Sequence, residues 1–291
     1  MSTDPHRAPS GHASHHTSHA SGHTGAAPDA VAMAELLELD AAVLHTYTAE
    51  LTGWLAGLTD RAPTRILDIG SGPGTGSFAL ARRFPGATVT AVDNSPQMLH
   101  RLTRRAAAEG LSDRVGTVRA DLDREWPRTG PYDLIWAAAF LHHLSDPGDG
   151  LARAFAGLRP GGLLAVTEMD FFPRFLPDDA GAGRPGLEAR LHTATNTRPP
   201  ADWGGHLTAA GFRPVATRPF AIALTAPLPP ETNRYAQVCL RTLRTHAGTL
   251  LPADDLAALD TVIGSGGPLG VLRRQDLTVR TTRTTWVARK P

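Results

Sequence analysis

Four acidic residues each close an apolar run: Asp68 in "RILDIG", Asp93 in "TVTAVD", Asp121 in "VGTVRAD" and Glu168 in "LLAVTEMD". Behind the first stand Gly70, Gly72, Gly74 and Gly76, four glycines in seven positions. A turn this rich in glycine lets a backbone come very close to a ligand. The carboxylates say what that ligand must offer. Asp68 suits an ammonium group, and Asp93 can accept hydrogen bonds from two ribose hydroxyls. A further group is the pair His142 and His143 in "AAAFLHHL". A neutral imidazole can take a proton near pH 7, although such a pair can equally pack beside a ligand or order its loop.

These residues need a scaffold that ends several strands side by side. Residues 65–70, 88–93, 115–121, 132–139 and 162–170 read as strands, and 77–84 and 151–158 as helices, the latter before an "RPGG" turn at 159–162. Between the second and third strands, Ser95 supplies an N-cap, Pro96 a first helical residue and Gly110 a stop. Strands alternating with helices give βαβ units and a mainly parallel sheet, whose ligands sit at the carboxyl ends of the strands. Upstream, Leu36/Leu37, Val43/Leu44, Tyr47, Leu51, Trp54/Leu55 and Leu58 form a helical stripe that either covers the sheet or acts as a lid. Downstream, the Pro/Gly-rich 171–205 segment predicts a lid or substrate loop. Residues 231–263 predict two helices, the second opened by Pro252, Asp254 and Asp255, before a last strand within 276–289.

The glycine spacing selects among ligands. The dinucleotide pattern G-x-G-x-x-G/A fails from Gly70 at Thr75 and from Gly72 at Ser77. Only Gly74, Gly76 and Ala79 fit it, too late to form the turn. A phosphate loop is excluded because no Gly-Lys-Ser/Thr follows. What fits is Asp-x-Gly-x-Gly-x-Gly from Asp68 to Gly74, with an acid ending the next strand. Carboxylates stand where a dinucleotide site wants phosphate-binding amides, so the expected ligand is a cationic, phosphate-free nucleoside.

With "LDIGSGPGTG", "AVDNSPQML", "RADL", "YDLIWAAAFLHHL" and "LRPGGLLAVTE" in that order, the chain resembles the class I S-adenosylmethionine-dependent methyltransferases over roughly residues 60–225, with a final strand at 276–289. The resemblance implies a Rossmann-like, doubly wound, mainly parallel seven-stranded sheet with an antiparallel last strand, N-terminal helices and a helical insertion. It implies S-adenosyl-L-methionine as cofactor. Gly70, Gly72 and Gly74 would let the backbone approach it, Asp68 would orient the loop and the amino group, and Asp93 would bind the ribose diol. Asn94 and Met98 would border the adenine, Asp121 and Leu122 would meet its edge and ring, and Ala137 and Ala138 would offer carbonyls to the methionine amine. His142 and His143 are the candidate catalytic bases. Base-methylating relatives carry an Asp/Asn/Ser-Pro-Pro-aromatic tetrapeptide after the fourth strand; "AAAFLHHL" has no proline. A small-molecule acceptor, of specialised metabolism, is therefore expected. Its pocket would be built from Phe140–His143, Glu168–Phe172, the N-terminal helices and the 171–205 segment. Two rivals keep the fold: a cyclase-like enzyme using the cofactor without methyl transfer, and a non-catalytic cofactor-binding module.

Composition bounds the rest. A chain of 291 residues with net charge +1 has no bulk attraction for nucleic acid or acidic membranes. The single Cys239 excludes an internal disulfide and a cysteine-rich metal site, and no metal is expected. No apolar run approaches the ~18 residues of a membrane helix, and no signal-peptide core is visible, so a cytoplasmic monomer or homodimer is expected. Residues 1–29, with His6, His12, His15, His16, His19 and His23, read as a solvated tail. The domain is expected over 30–291: a helical cap to 60, a cofactor-binding core over 61–225, the insertion over 226–275 and the final strand.

Overall fold

A computed structural model describes residues 27–127, 129–196, 201–264 and 266–291, with side chains from residue 31. Two helices, α1 (Ala27–Val43) and α2 (His45–Ala56), precede an alternation of β1 (Arg65–Ile69), α3 (Thr75–Arg83), β2 (Thr88–Asp93), α4 (Pro96–Ala108) and β3 (Val115–Arg119). Then come β4 (Tyr132–Ala138), α5 (Pro147–Gly157), β5 (Leu158–Met169), α6 (Leu187–Thr195) and α7 (Trp203–Ala209). The chain closes with β6 (Arg213–Leu224), α8 (Thr232–Ala247), α9 (Ala253–Ile263) and β7 (Val279–Arg289).

The strands form one seven-stranded sheet in the order β3-β2-β1-β4-β5-β7-β6. β1 to β5 pair in parallel, and β7 runs antiparallel between β5 and β6. The inner strands are apolar on both faces because helices cover both. Ile66, Leu134, Trp136, Leu163 and Ala165 pack against the α1–α4 side together with α8 and α9. Leu67, Ile69, Ile135, Ala137, Leu164 and Val166 pack against α5 and α7. Local signals set the helix starts: Ser95 Oγ accepts from the Met98 amide, and Asp146 Oδ1 from the Asp149 amide, each followed by proline in the first turn.

Several boundaries differ from the sequence reading, each for a tertiary reason. The "RPGG" stretch is not a turn but part of β5. Register jumps from Tyr132↔Leu158 to Leu134↔Leu163, and Gly161 and Gly162 pair with the backbone of Lys290 at the far end of the chain. The helix before it starts at Pro147 rather than Leu151, because Asp146 caps it. α1 already includes 27–29; the rest of the expected tail lies outside the described residues. The 171–205 segment is not an open loop, for it contains α6 and the start of α7. Its 171–186 part is held down by the buried carboxylate of Glu188, which accepts from the Phe175 and Leu176 amides. Trp203 is buried with Leu207 and Phe212 in the α5–α7 core.

One charge cluster fastens this segment to the insertion. The Asp255 carboxylate, at the first turn of α9, receives Arg190 through Nε and Nη2 (both 2.8 Å) and Arg184 through Nη2 (3.2 Å). Those guanidinium hydrogen bonds hold its pKa far below the usual aspartate range. Its stabilising contribution is present above the ordinary aspartate pKa and is lost as pH falls through the folded value. Asp255→Ala should lower unfolding free energy at pH 7 by roughly 1–3 kcal/mol. The deficit should narrow by about pH 3; a deficit independent of pH in denaturant melts would show that the charge is not its source.

Candidate active site

The strand order lays the predicted residues along one edge of the sheet. Asp121 follows β3, Asp93 ends β2, Asp68 lies in β1 beside Trp136 of β4, and Glu168 lies in β5. Ala137 and Ala138 pair with Val166 and Thr167, so they sit between the β1 and β5 carboxylates.

Asp93 ties two loops together. Its Oδ2 accepts from the Gly72 amide (2.9 Å) and its Oδ1 from the Ser95 amide (2.8 Å). Each oxygen retains a lone pair, so the half-buried carboxylate can still accept from two hydroxyls. Asp68 is different. It is 2 % exposed and bonded to Ser77 Oγ at 2.6 Å. Burial pushes its pKa up to about 7; the Ser77 hydroxyl opposes that rise and the nearby Asp93 charge adds to it. Such a group ionises readily once a cation arrives.

The glycines between them have packing reasons of their own. All three sit at positive φ, +67° at Gly70, +52° at Gly72 and +92° at Gly74. A Cβ on Gly70 would lie 2.1 Å from the Phe140 ring, and one on Gly74 2.7 Å from Leu102. A Cβ on Gly72 would meet Leu37 of α1 at 3.2 Å, so the N-terminal helix lies across this loop. Three buried polar atoms of the neighbourhood have no protein partner: Ser71 Oγ, Thr75 Oγ1 and Trp136 Nε1.

Around them, Met98 and Leu122 are buried, whereas Asn94 is exposed and its carbonyl accepts from Arg119 Nε. The Asp121 carboxylate accepts from the Asp123 amide (3.2 Å) and lies 3.4 Å from Arg124. A cleft of about 1030 Å³ opens beside the end of β3 and α5, with Arg119, Trp126 and Arg153 among its walls; no predicted site residue lines it.

His142 is tied to a buried carboxylate. Glu168 Oε1 accepts from the Phe140 and Leu141 amides (both 3.2 Å), while Oε2 lies 2.8 Å from His142 Nδ1. Glu168 is 8 % exposed; the His142 side chain is 48 % exposed. An imidazole held through Nδ1 presents Nε2 outward as the proton acceptor. His143 sits beside it, ring centroids 4.1 Å apart. The turn that makes room for this begins at Ala139, the one non-glycine residue of positive φ (+49°) among those described. Sequence reasoning placed Glu168 at a strand end but did not pair it with His142, 26 residues away. Its strand-end position was the available signal. Ser77, Trp136, Phe140 against Gly70 and Leu37 over Gly72 carried none.

Known proteins resemble this chain in sequence and in fold. Residues 66–162 match the family model described as a methyltransferase domain. Trans-aconitate 2-methyltransferase of Pseudomonas aeruginosa is 37 % identical over 142 residues, covering 45 % of this chain and 49 % of that protein. The enzyme of that name from Methylobacterium nodulans is 33 % identical over 186 residues, 60 % of this chain and 69 % of that protein. The chain thus spans about half the length of the first of these relatives. Coclaurine N-methyltransferase, solved with N-methylheliamine and S-adenosylhomocysteine, superposes with a TM-score of 0.50 at 14 % identity, over 84 % of this chain and 72 % of that one, a likeness of fold alone.

Removing the anchor of the histidine loop should free it. In Glu168→Ala, the Phe140 and Leu141 amides should exchange with solvent about tenfold faster or more, the equivalent of one lost charge-assisted bond, while strand amides such as Ile69 keep their protection. Unaltered exchange at both amides would show that Glu168 does not hold the loop.

Proposed function

Because the chain belongs to the class I S-adenosylmethionine-dependent methyltransferase family, we propose that it transfers a methyl group from this cofactor to a hydroxyl or acidic carbon of a small carboxylate-bearing acceptor, the carboxylate serving recognition and His142 taking the proton that the nucleophile gives up. The observation that carries the mechanism is the Glu168–His142 pair at the carboxyl edge of the sheet. The acceptor class is suggested by the relatives named trans-aconitate 2-methyltransferase.

The residues present fit the cofactor. Asp93 keeps free lone pairs for a diol, Asp68 is a buried acid able to ionise against an ammonium group, and Ser71, Thr75 and Trp136 hold unpaired polar atoms beside them. Ala137 and Ala138 place backbone at the centre of the same edge, with Gly70, Gly72 and Gly74 on one side and Met98, Asn94, Asp121 and Leu122 toward β2 and β3. When bound, S-adenosylmethionine supplies an electrophilic sulfonium methyl. The protein has to align a nucleophile with it and exclude water, which can provide on the order of 7–11 kcal/mol. Leu37 of α1 and Phe140, both packed on the glycine loop, provide cover.

Glu168 fixes the His142 tautomer with the proton on Nδ1, leaving Nε2 basic. When the nucleophile's proton arrives on Nε2, the imidazolium is neutralised through Nδ1 by the buried Glu168 carboxylate, whose other oxygen is held by the Phe140 and Leu141 amides. His143, its ring beside that of His142, is the positioning neighbour. The specialised-metabolite assignment stays open to the acceptor screen.

The test is incubation with methyl-labelled S-adenosylmethionine and a panel of mono-, di- and tricarboxylates, trans-aconitate included, followed by mass spectrometry. Labelled product is expected with a carboxylate. On that acceptor, His142→Ala should lose about 10²–10⁴-fold in turnover, and His143→Ala far less, with cofactor affinity retained in both. Equal turnover in both variants and wild type would remove His142 from the chemistry.

A further inference from the structure

Beyond the edge just described, a guanidinium is buried under the N-terminal helix. Arg283 lies on β7 directly opposite Met169, the last residue of β5, and therefore next to the strand end that carries Glu168. Its Nη2 donates to Asp40 Oδ1 of α1, its guanidinium carbon lies 5.2 Å from the centre of the Tyr47 ring, and its Nε is buried without any partner. Asp40 uses the same Oδ1 to accept from the Tyr235 hydroxyl at 2.5 Å. The fork of Arg283 is thus half used: a single carboxylate oxygen meets one nitrogen.

The surroundings connect this arginine to the site rather than to general packing. Asp40 stands three residues after Leu37, the residue lying on Gly72, so one face of α1 touches both the glycine loop and Arg283. Tyr47 bonds Thr167 at 3.2 Å, Thr285 donates to that same hydroxyl at 2.8 Å, and the Thr167 carbonyl receives the Ala139 amide that starts the histidine turn. An arginine stays charged at any working pH and its planar fork matches a carboxylate bidentately. A buried one with an open Nε has every requirement for binding an anion except the second oxygen.

We propose that Arg283 is the carboxylate-recognising residue of the acceptor site, and that Asp40 holds its place until the acceptor's own carboxylate spans Nε and Nη2. This rests on the carboxylate-acceptor reading above. Entry of the acceptor then exchanges one ion pair for a bidentate one, and Asp40, released from Arg283, keeps its bond from the Tyr235 hydroxyl. The same exchange makes the site selective, because an uncharged acceptor cannot displace Asp40.

The experiment uses full-length protein loaded with S-adenosylhomocysteine for binding and with S-adenosylmethionine for turnover. The probes are trans-aconitate, citrate, glutarate and benzoate, each with its uncharged amide. Wild type should bind and methylate at least one carboxylate and none of the amides. Arg283→Met should raise KM for that carboxylate at least thirtyfold while leaving cofactor affinity within twofold. Asp40→Asn should lower the same KM severalfold, and this arm decides the matter if Arg283→Met does not fold. Wild-type KM in Arg283→Met, or an unchanged or raised KM in Asp40→Asn, overturns the assignment with the carboxylate reading intact. Methylation confined to uncharged acceptors overturns the carboxylate reading, and the role of Arg283 falls with it.

Discussion

Two carboxylates held close together at the ends of adjacent parallel strands are the constraint on which this molecule is organised. Asp68 is kept out of water by the β1–β4 sheet, α3 and Trp136, and that burial raises its pKa to about 7. Asp93, one strand over, ties the Gly72 and Ser95 amides into one surface. Desolvating an acid costs free energy unless a partner stabilises it. Ser77 provides one hydrogen bond, and a cationic nucleoside would provide the charge that Asp68 lacks. The glycine turn follows from this: only a backbone at positive φ packs between Phe140, Leu37 and Leu102 while keeping both acids on the same edge.

The cover over that edge is an electrostatic arrangement. Three acids of α1 each find an arginine on a different element: Glu35 with Arg234 of α8, Glu38 with Arg101 of α4, and Asp40 with Arg283 of β7. The first two pairs are substantially exposed and contribute little each. The third is the most buried of the three. α8 supports α1 through Tyr235, itself packed edge-on against Phe175 at 5.3 Å. The insertion before the last strand therefore supports α1 as well as covering the sheet.

Much of this was legible in the sequence, and the remainder was hidden for definable reasons. The strand-end acids could be read because each ends a short, uniformly apolar run, and the caps Ser95–Pro96 could be read because capping is local. The "RPGG" stretch misled because its partner is Lys290, 128 residues beyond Gly162, and no local signal announces an antiparallel strand returning from that distance. α6 was missed because its helical apolar positions are few and its anchoring carboxylate, Glu188, bonds backwards to a loop. The choice between His142 and His143 was undecidable without Glu168, since adjacent residues of the same type differ only in which side of the turn they occupy.

The account's central claim, that this edge holds a cationic nucleoside against a buried acid, is tested most directly by calorimetric titration of S-adenosylmethionine across pH, in wild type and Asp68→Asn, with NAD as the control ligand. Because the ligand's cation requires the ionised form of Asp68, affinity in wild type should climb as pH rises through about 7 and level off above it. The Asp68→Asn variant should bind more weakly and show no such climb, and NAD should give no binding heat. Binding of S-adenosylmethionine that is flat with pH and indifferent to Asp68→Asn, or binding of NAD in its place, would contradict the account.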